Sequence, residues 1–383
     1  MKDASFHHNP SLSRRTFAQA TGVALAGLLL GVAPWELSGC AASPETRQNL
    51  QQSPDAPGAP APAFANSLSA QLIDQAASIL DGIALATPLV VAPTLSTEER
   101  TVMLRLESLQ KTGSFKLRGA YTMIAMLTDE ERAAGVVTCS AGNHAQGVAY
   151  AAREFGIDAT IFIPADAPQD KIEATRAYGV EVRLVDGDFD QAKAEAEAFV
   201  ASGGGTYIPP YDDYRVMAGQ GTIGRELLTQ SDDIDAVIVP VGGGGLIGGV
   251  ACALKTANPS IAIYGVESEA VPSMHVSLAA GKRTGVEAKD SLADGIHVAM
   301  PGEKTFEVVQ TYVDGVYTVT EQQIAEAIVH LARREKVVAE GAGATTVAAV
   351  LSGAVPLGDA KNVVCLISGG NIDPDRLSEL LVS

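Results

Sequence analysis

From Leu68 onward the chain alternates between short β-branched runs and amphipathic stretches, and this alternation restricts the fold more than any other feature. "TVMLRLE", "GVVTCS", "DATIFIP", "EVRLVD", "IDAVIVPV", "IAIYGVE" and "KNVVCLISGG" read as strands. Between them "AQLIDQAASILDGI", "GAYTMIAMLTDEERAA", "HAQGVAYAAREFG", "QDKIEATRAYG" and "FDQAKAEAEAFVAS" carry apolar residues at helical spacing. Strands separated by helices pair in parallel, because the helix is the crossover connection and covers the sheet. The expected class is therefore α/β, with two open, parallel-rich sheets flanked by helices. One globule over 67–383 is expected, with a large lobe of 67–130 and 213–383 and a small inserted lobe of 131–212.

The first 66 residues do not share the pattern. In "SRRTFAQATGVALAGLLLGVAPWELSGC" a twin arginine, Arg14 and Arg15, precedes an apolar, Gly- and Ala-rich stretch without charge until Glu36. Residues 1–40 thus resemble a twin-arginine export signal. Leu37-Ser38-Gly39-Cys40 resembles the lipobox of bacterial lipoproteins, in which the cysteine is acylated and becomes the mature N-terminus. The expectation is an exported protein, held to a membrane surface by a lipidated Cys40 or free in the periplasm; the alternative is a cytoplasmic enzyme with an extension. Residues 41–66 are rich in Pro, Ala and Gln without periodicity, and read as a flexible linker.

Charge excludes one class of partner. With 27 Lys and Arg against 45 Asp and Glu, the net charge is −18, and no basic stripe offers a surface for nucleic acid. The cysteines number 4, too few and too scattered for a disulfide framework or a zinc site. Cys139, Cys252 and Cys365 lie in apolar contexts and read as buried free thiols.

Ligands of open α/β sheets bind beyond the carboxyl ends of the strands. After "VIVPV" comes Gly242-Gly243-Gly244-Gly245-Leu246, a loop able to present bare N–H groups to a phosphate at a helix N-terminus. Its spacing also fits a dinucleotide fingerprint, with Glu267 as the acidic residue, so a nicotinamide oxidoreductase is one reading. After "VVTCS" comes Ser140-Ala141-Gly142-Asn143-His144, and after "VVCLI" comes Ser368-Gly369-Gly370-Asn371. Three small-residue loops suit a compact anionic ligand held from several sides. Upstream, Lys116 stands between Phe115 and Leu117 near the start of a helix; a lysine buried there would lose its charge readily and act as a nucleophile.

"SFKLRGA", "SAGNHAQG", "GQGTIGREL", "GGGGLIGG", "EGAG" and "SGGN", in this order from about Thr87 to Asp373, resemble the serine/threonine dehydratase group of pyridoxal-phosphate enzymes, fold type II, tryptophan synthase β-like. The resemblance implies pyridoxal 5'-phosphate bound as a Schiff base to Lys116, with Phe115 beside the pyridine ring. Asn143 would meet the phenolic oxygen, Ser368 the pyridine nitrogen, and Gly242, Gly243, Gly244, Gly245 and Leu246 the phosphate. Glu340 would lie near the cofactor, and Ser140, Asn143 and His144 would take the substrate carboxylate. It further implies a lyase releasing ammonia and a 2-oxo acid from threonine or serine, and a homo-oligomer, dimer or tetramer. Racemases of the group carry a second serine after the position of Ser140; here it is Ala141, so two-base racemisation is not expected. Some relatives hold a divalent cation with an acid at the position of Glu267, but Ser273 stands where a second acid would be needed. A regulatory module following the catalytic globule is not expected. The remaining alternatives are a serine-preferring dehydratase and a lipoprotein that binds the cofactor or amino acids without turnover.

Overall fold

The computed structural model describes residues 67–382. The export signal, the linker and Cys40 lie outside the described residues. The first described element lies where the periodicity begins: Ser69 Oγ accepts from the N–H of Leu72 and caps a helix over Ala70–Leu80.

Two sheets form, as the alternation requires. The larger has the order β1 (Leu89–Val91), β2 (Thr101–Leu106), β10 (Asn362–Ile367), β7 (Ala236–Pro240), β8 (Ala262–Ser268), β9 (Gly315–Val319). All its pairings are parallel except β1 with β2. The smaller has the order β5 (Glu181–Val185), β4 (Ala159–Pro164), β3 (Val136–Cys139), β6 (Thr206–Tyr207), and is parallel throughout. Central strands are apolar on both faces because helices cover both: every residue of β7 and β4 is buried, whereas the edge strand β5 is buried only at Val185. Cys139, Cys252 and Cys365 are free and buried in this interior.

The smaller sheet falls within the segment 131–212 expected from the sequence. Its core also recruits Leu117, Ala120, Tyr121 and Ile124 from the helix Lys116–Ala125, which precedes that segment. "GAYTMIAMLTDEERAA" is two helices rather than one. The first ends at Ala125, and Thr128 then starts a new turn over Asp129–Ala133 through a capping box with Glu131.

A buried ionic network ties β2 to two helices. Glu107 is fully buried and accepts from Arg118 (2.8 and 3.0 Å), Arg105 (3.1 and 3.3 Å) and Thr87 (2.6 Å). Glu226, from the helix Tyr214–Gln230, meets the same two guanidiniums: Arg118 at 2.6 and 2.9 Å, and Arg105 in a closer contact. Burial works against the Glu107 charge, but Arg118 and Arg105 outweigh it and hold the carboxyl below its ordinary value.

Candidate active site

Helix N-termini differ in whether a side chain caps them. Those over Ala70–Leu80, Phe189–Ala201 and Glu321–His330 are capped by Ser69, Asp188 and Thr320. Those over Asn143–Phe155 and Gly245–Ala257 begin at Gly142 and Gly244 with no side-chain cap. Both of these helices follow the carboxyl ends of parallel strands, β3 and β7. Their first-turn N–H groups have no intrahelical acceptor and remain free for a ligand.

The second of these helices carries the glycine run. Gly243, Gly244, Gly245 and Leu246 are buried. No hydrogen bond from the N–H of Gly242, Gly243, Gly244, Gly245 or Leu246 to a protein acceptor is found among the described residues. Buried, unpaired N–H groups are costly, and an anion at the helix N-terminus would satisfy them. Gly244 has φ +96°, a left-handed conformation that disfavours other residues. A Cβ on Gly243 would sit 2.4 Å from the Tyr211 ring. The bare backbone is therefore a steric requirement of the loop.

Lys116 begins its helix, held in place by the loop before it. Phe115 N–H donates to Ser368 O (3.0 Å), Gly370 N–H to Gly113 O (2.9 Å), and Ser114 forms a β-bridge with Gly369. The loop before Lys116 is thereby fastened to the loop after β10. Lys116 Nζ donates to Pro210 O (2.8 Å) and lies 5.4 Å from the centre of the Phe115 ring. Deep surroundings pull its amine down to about 8, with Glu340 opposing the shift. Such an amine is partly neutral at physiological pH and able to attack a carbonyl.

Glu340, itself 5% exposed, is lifted to about 7 by burial, partly offset by the hydrogen bond from Asn143. Asn143 Nδ2 donates to Glu340 Oε1 (2.8 Å), and Asn143 Oδ1 accepts from Asn371 Nδ2 (2.7 Å). The Asn143 amide is thus oriented from both sides. Ser368 is buried, and its hydroxyl makes no protein hydrogen bond among the described residues.

The carboxylate niche expected at Ser140, Asn143 and His144 lies at the first uncapped helix. Ser140 Oγ accepts from Gly142 N–H (3.2 Å), while the N–H groups of Asn143 and His144 have no protein acceptor among the described residues. The His144 ring is 3% exposed and its Nε2 donates to Ile208 O (2.9 Å). Burial and the neighbouring Lys116 depress it to about 3, so it is neutral and offers its main chain, rather than a positive ring, to a ligand.

Glu267 is occupied elsewhere. Its two oxygens accept from Met274 (2.9 Å) and His275 (2.8 Å) N–H groups at the start of the helix Ser273–Ala280. Burial raises its carboxyl to about 8. Among the described residues no group of three or more His, Cys, Asp or Glu could hold a metal ion.

Pro210 and Tyr211 went unread in the sequence. Pro210 contributes only a carbonyl, which no residue type advertises; Tyr211 lies against the glycines 32 residues downstream, a contact made by the fold alone.

A buried lysine with a lowered amine, an anion cup of backbone amides, and a further helix N-terminus free for a carboxylate define an enzyme that forms a Schiff base with a phosphorylated carbonyl cofactor. The residues fit pyridoxal phosphate: the unpaired N–H groups match its phosphate and the unpartnered Ser368 hydroxyl its ring nitrogen. A sequence profile described as pyridoxal-phosphate dependent enzyme matches residues 81–369. The chain belongs to that family, and pyridoxal phosphate is its cofactor.

The L-threonine ammonia-lyase of Thermotoga maritima is 51% identical over 280 residues, 73% of this chain and 69% of that protein. The Staphylococcus aureus protein named L-threonine dehydratase catabolic TdcB is 47% identical over 314 residues, 81% of this chain and 90% of that protein. Maize serine racemase superposes with a TM-score of 0.79 at 33% identity, covering 82% of this chain and 97% of that one.

Proposed function

We propose that this protein is an L-threonine ammonia-lyase, with L-serine as the second candidate substrate. The reaction converts L-threonine to 2-oxobutanoate and ammonia: the Cα–H and Cβ–O bonds break, water leaves, and hydrolysis of the enamine product returns a water. Relatives named for threonine at about half identity support this substrate over serine.

The bound cofactor supplies a sink for the electron pair left on Cα. The chain supplies the rest. The N–H groups at Asn143 and His144 bind the substrate carboxylate, and the neutral His144 fixes that loop against Ile208. Lys116 Nζ, with its value near 8, takes the Cα proton at neutral pH. Ser368 would offer a hydroxyl rather than a carboxylate to the ring nitrogen, which would keep that nitrogen largely neutral and the electron sink weaker, in favour of β-elimination over transamination. Ala141 lacks an acid–base group on the opposite face, where a racemase needs one.

The observation that carries the reading is Lys116, an amine set between an amide cup and a carboxylate niche. Its test is a visible absorption spectrum of the purified protein, followed by 2-oxo acid and ammonia release from L-threonine and L-serine. Lys116→Ala is expected to abolish both the absorption band and turnover; retained turnover would refute the assignment.

The N-terminal reading belongs to the same proposal. Twin-arginine transport moves folded proteins, so a cofactor inserted in the cytoplasm would travel with the enzyme. A lipidated Cys40 would then place the enzyme on a membrane surface, and assembly as a dimer or tetramer is the expected quaternary state.

A further inference from the structure

The glycine cup is open on one side and held on the other. Gly243 O accepts two hydrogen bonds from the start of the helix Glu303–Tyr312: Thr305 Oγ1 at 2.5 Å and Gly302 N–H at 3.4 Å. In a trans peptide the C=O and the following N–H point in opposite directions, and no peptide among the described residues is cis. Fixing Gly243 O toward Thr305 therefore turns the N–H of Gly244 away from that helix, where it finds no protein acceptor. Thr305 is fully buried, and its Cβ would meet a Cβ on Gly244 at 3.0 Å, so its position is fixed by packing as well.

The helix that presents Thr305 is itself ordered from a distance. Its N-cap residue is Gly302, which has no side chain to cap with. Asp212 supplies the cap instead: its two oxygens accept from Glu303 N–H (3.0 Å) and Thr305 N–H (3.1 Å). A Cβ on Gly302 would lie 2.4 Å from Asp212, so the glycine makes room for the borrowed carboxylate. Asp212 directly follows Tyr211, whose ring covers Gly243 on its other flank.

We propose that Thr305, supported by Asp212, is a positioning residue for the phosphate cup, holding the Gly243–Gly244 peptide with its N–H presented to the cofactor's phosphate. The Thr305 hydroxyl is spent on the Gly243 carbonyl, and it acts through that one carbonyl. The inference rests on the cofactor assignment above, and its signature is selectivity for the phosphate part of the ligand. Thr305→Val removes the hydroxyl at nearly constant volume and leaves a buried carbonyl short of its strongest donor.

The test uses the full chain resolved from its cofactor and titrated separately with pyridoxal phosphate and with pyridoxal, followed by visible absorbance. Thr305→Val is expected to weaken pyridoxal phosphate binding by about tenfold, to leave pyridoxal binding unchanged, and to be rescued by Thr305→Ser. Equal weakening of both ligands, or no weakening, overturns the proposal. Should Thr305→Val fail to fold, Asp212→Asn, which keeps one acceptor oxygen, must show a smaller loss confined to the phosphorylated ligand. A wild-type protein that binds neither ligand would instead overturn the cofactor assignment, and this inference with it.

Discussion

Replacing Glu107 by Gln perturbs the buried ionic network without touching the active site. Arg105 and Arg118 are fully buried, and they share Glu107 and Glu226 as their only anions in the network. Two cations and two anions balance; Glu107→Gln leaves an uncompensated positive charge in the interior. Breaking a buried pair by removing one partner costs about 3–5 kcal/mol. For a globule of roughly 320 residues, about 2.1 cal/mol/K per residue gives an unfolding entropy of ~0.7 kcal/mol/K, or about 1.5 °C per kcal/mol. The melting temperature of the holoenzyme should therefore fall by about 5–8 °C, measured by calorimetry at neutral pH, with the cofactor's absorption spectrum unchanged. Adding Arg105→Met restores neutrality, so the double variant should melt above Glu107→Gln alone. A fall under about 1 °C for the single variant, or a double variant that loses the full sum of both single losses, would refute the charge-balance reasoning.

Two further outcomes follow from the site and the N-terminus. Glu340 is lifted to about 7 from an ordinary 4.5, so the folded protein retains that proton where the unfolded chain has lost it. Its contribution to stability is complete below 4.5 and is lost as pH rises through 7; the wild-type melting profile should fall more steeply across that window than that of Glu340→Gln, and equal slopes would remove the argument. For the exported form, mass spectrometry of the protein from its own host should find a mature N-terminus at an acylated Cys40 in the membrane fraction, whereas an intact Met1 in the soluble cytoplasm would defeat the export reading.

What the sequence conveyed depended on how many residues shared a signal. β7, with five apolar residues, and β4, with Thr160 as its one polar member among six, stood out as runs. β1 has only three residues, with Val91 exposed at the sheet edge, and β6 only two; neither is long enough to show a period. "GVYTV" went unread although it forms β9, because three of its five residues are only partly buried and its polar Thr318 interrupts the run. "GAYTMIAMLTDEERAA" read as one helix because the apolar spacing continues across Thr128, whose capping role shows only once Glu131 turns back to it.

The site divides in the same way. Lys116 and glycines 242 to 245 were legible because both chemistry and sterics demand those residue types. Thr305 and Asp212 were not, since a hydroxyl and a carboxylate at those positions have dozens of ordinary uses. Only the meeting of segments about ninety residues apart makes them specific. Glu267 fell between the two. Its position near the end of β8 matched a ribose anchor, a cation ligand or a loop acid, and its carboxylate is found accepting from the N–H groups of Met274 and His275.

The amide cup has a consequence for anyone altering this enzyme. Its contacts to the phosphate would come from main-chain atoms, so trimming a side chain cannot delete one contact at a time. A mutational scan would register the cup only as intolerance: at Gly243 the Tyr211 ring rejects any larger residue, and at Gly244 the left-handed backbone does. Tuning cofactor grip in small steps therefore has to proceed from the neighbours that aim the peptides, where single atoms can still be exchanged.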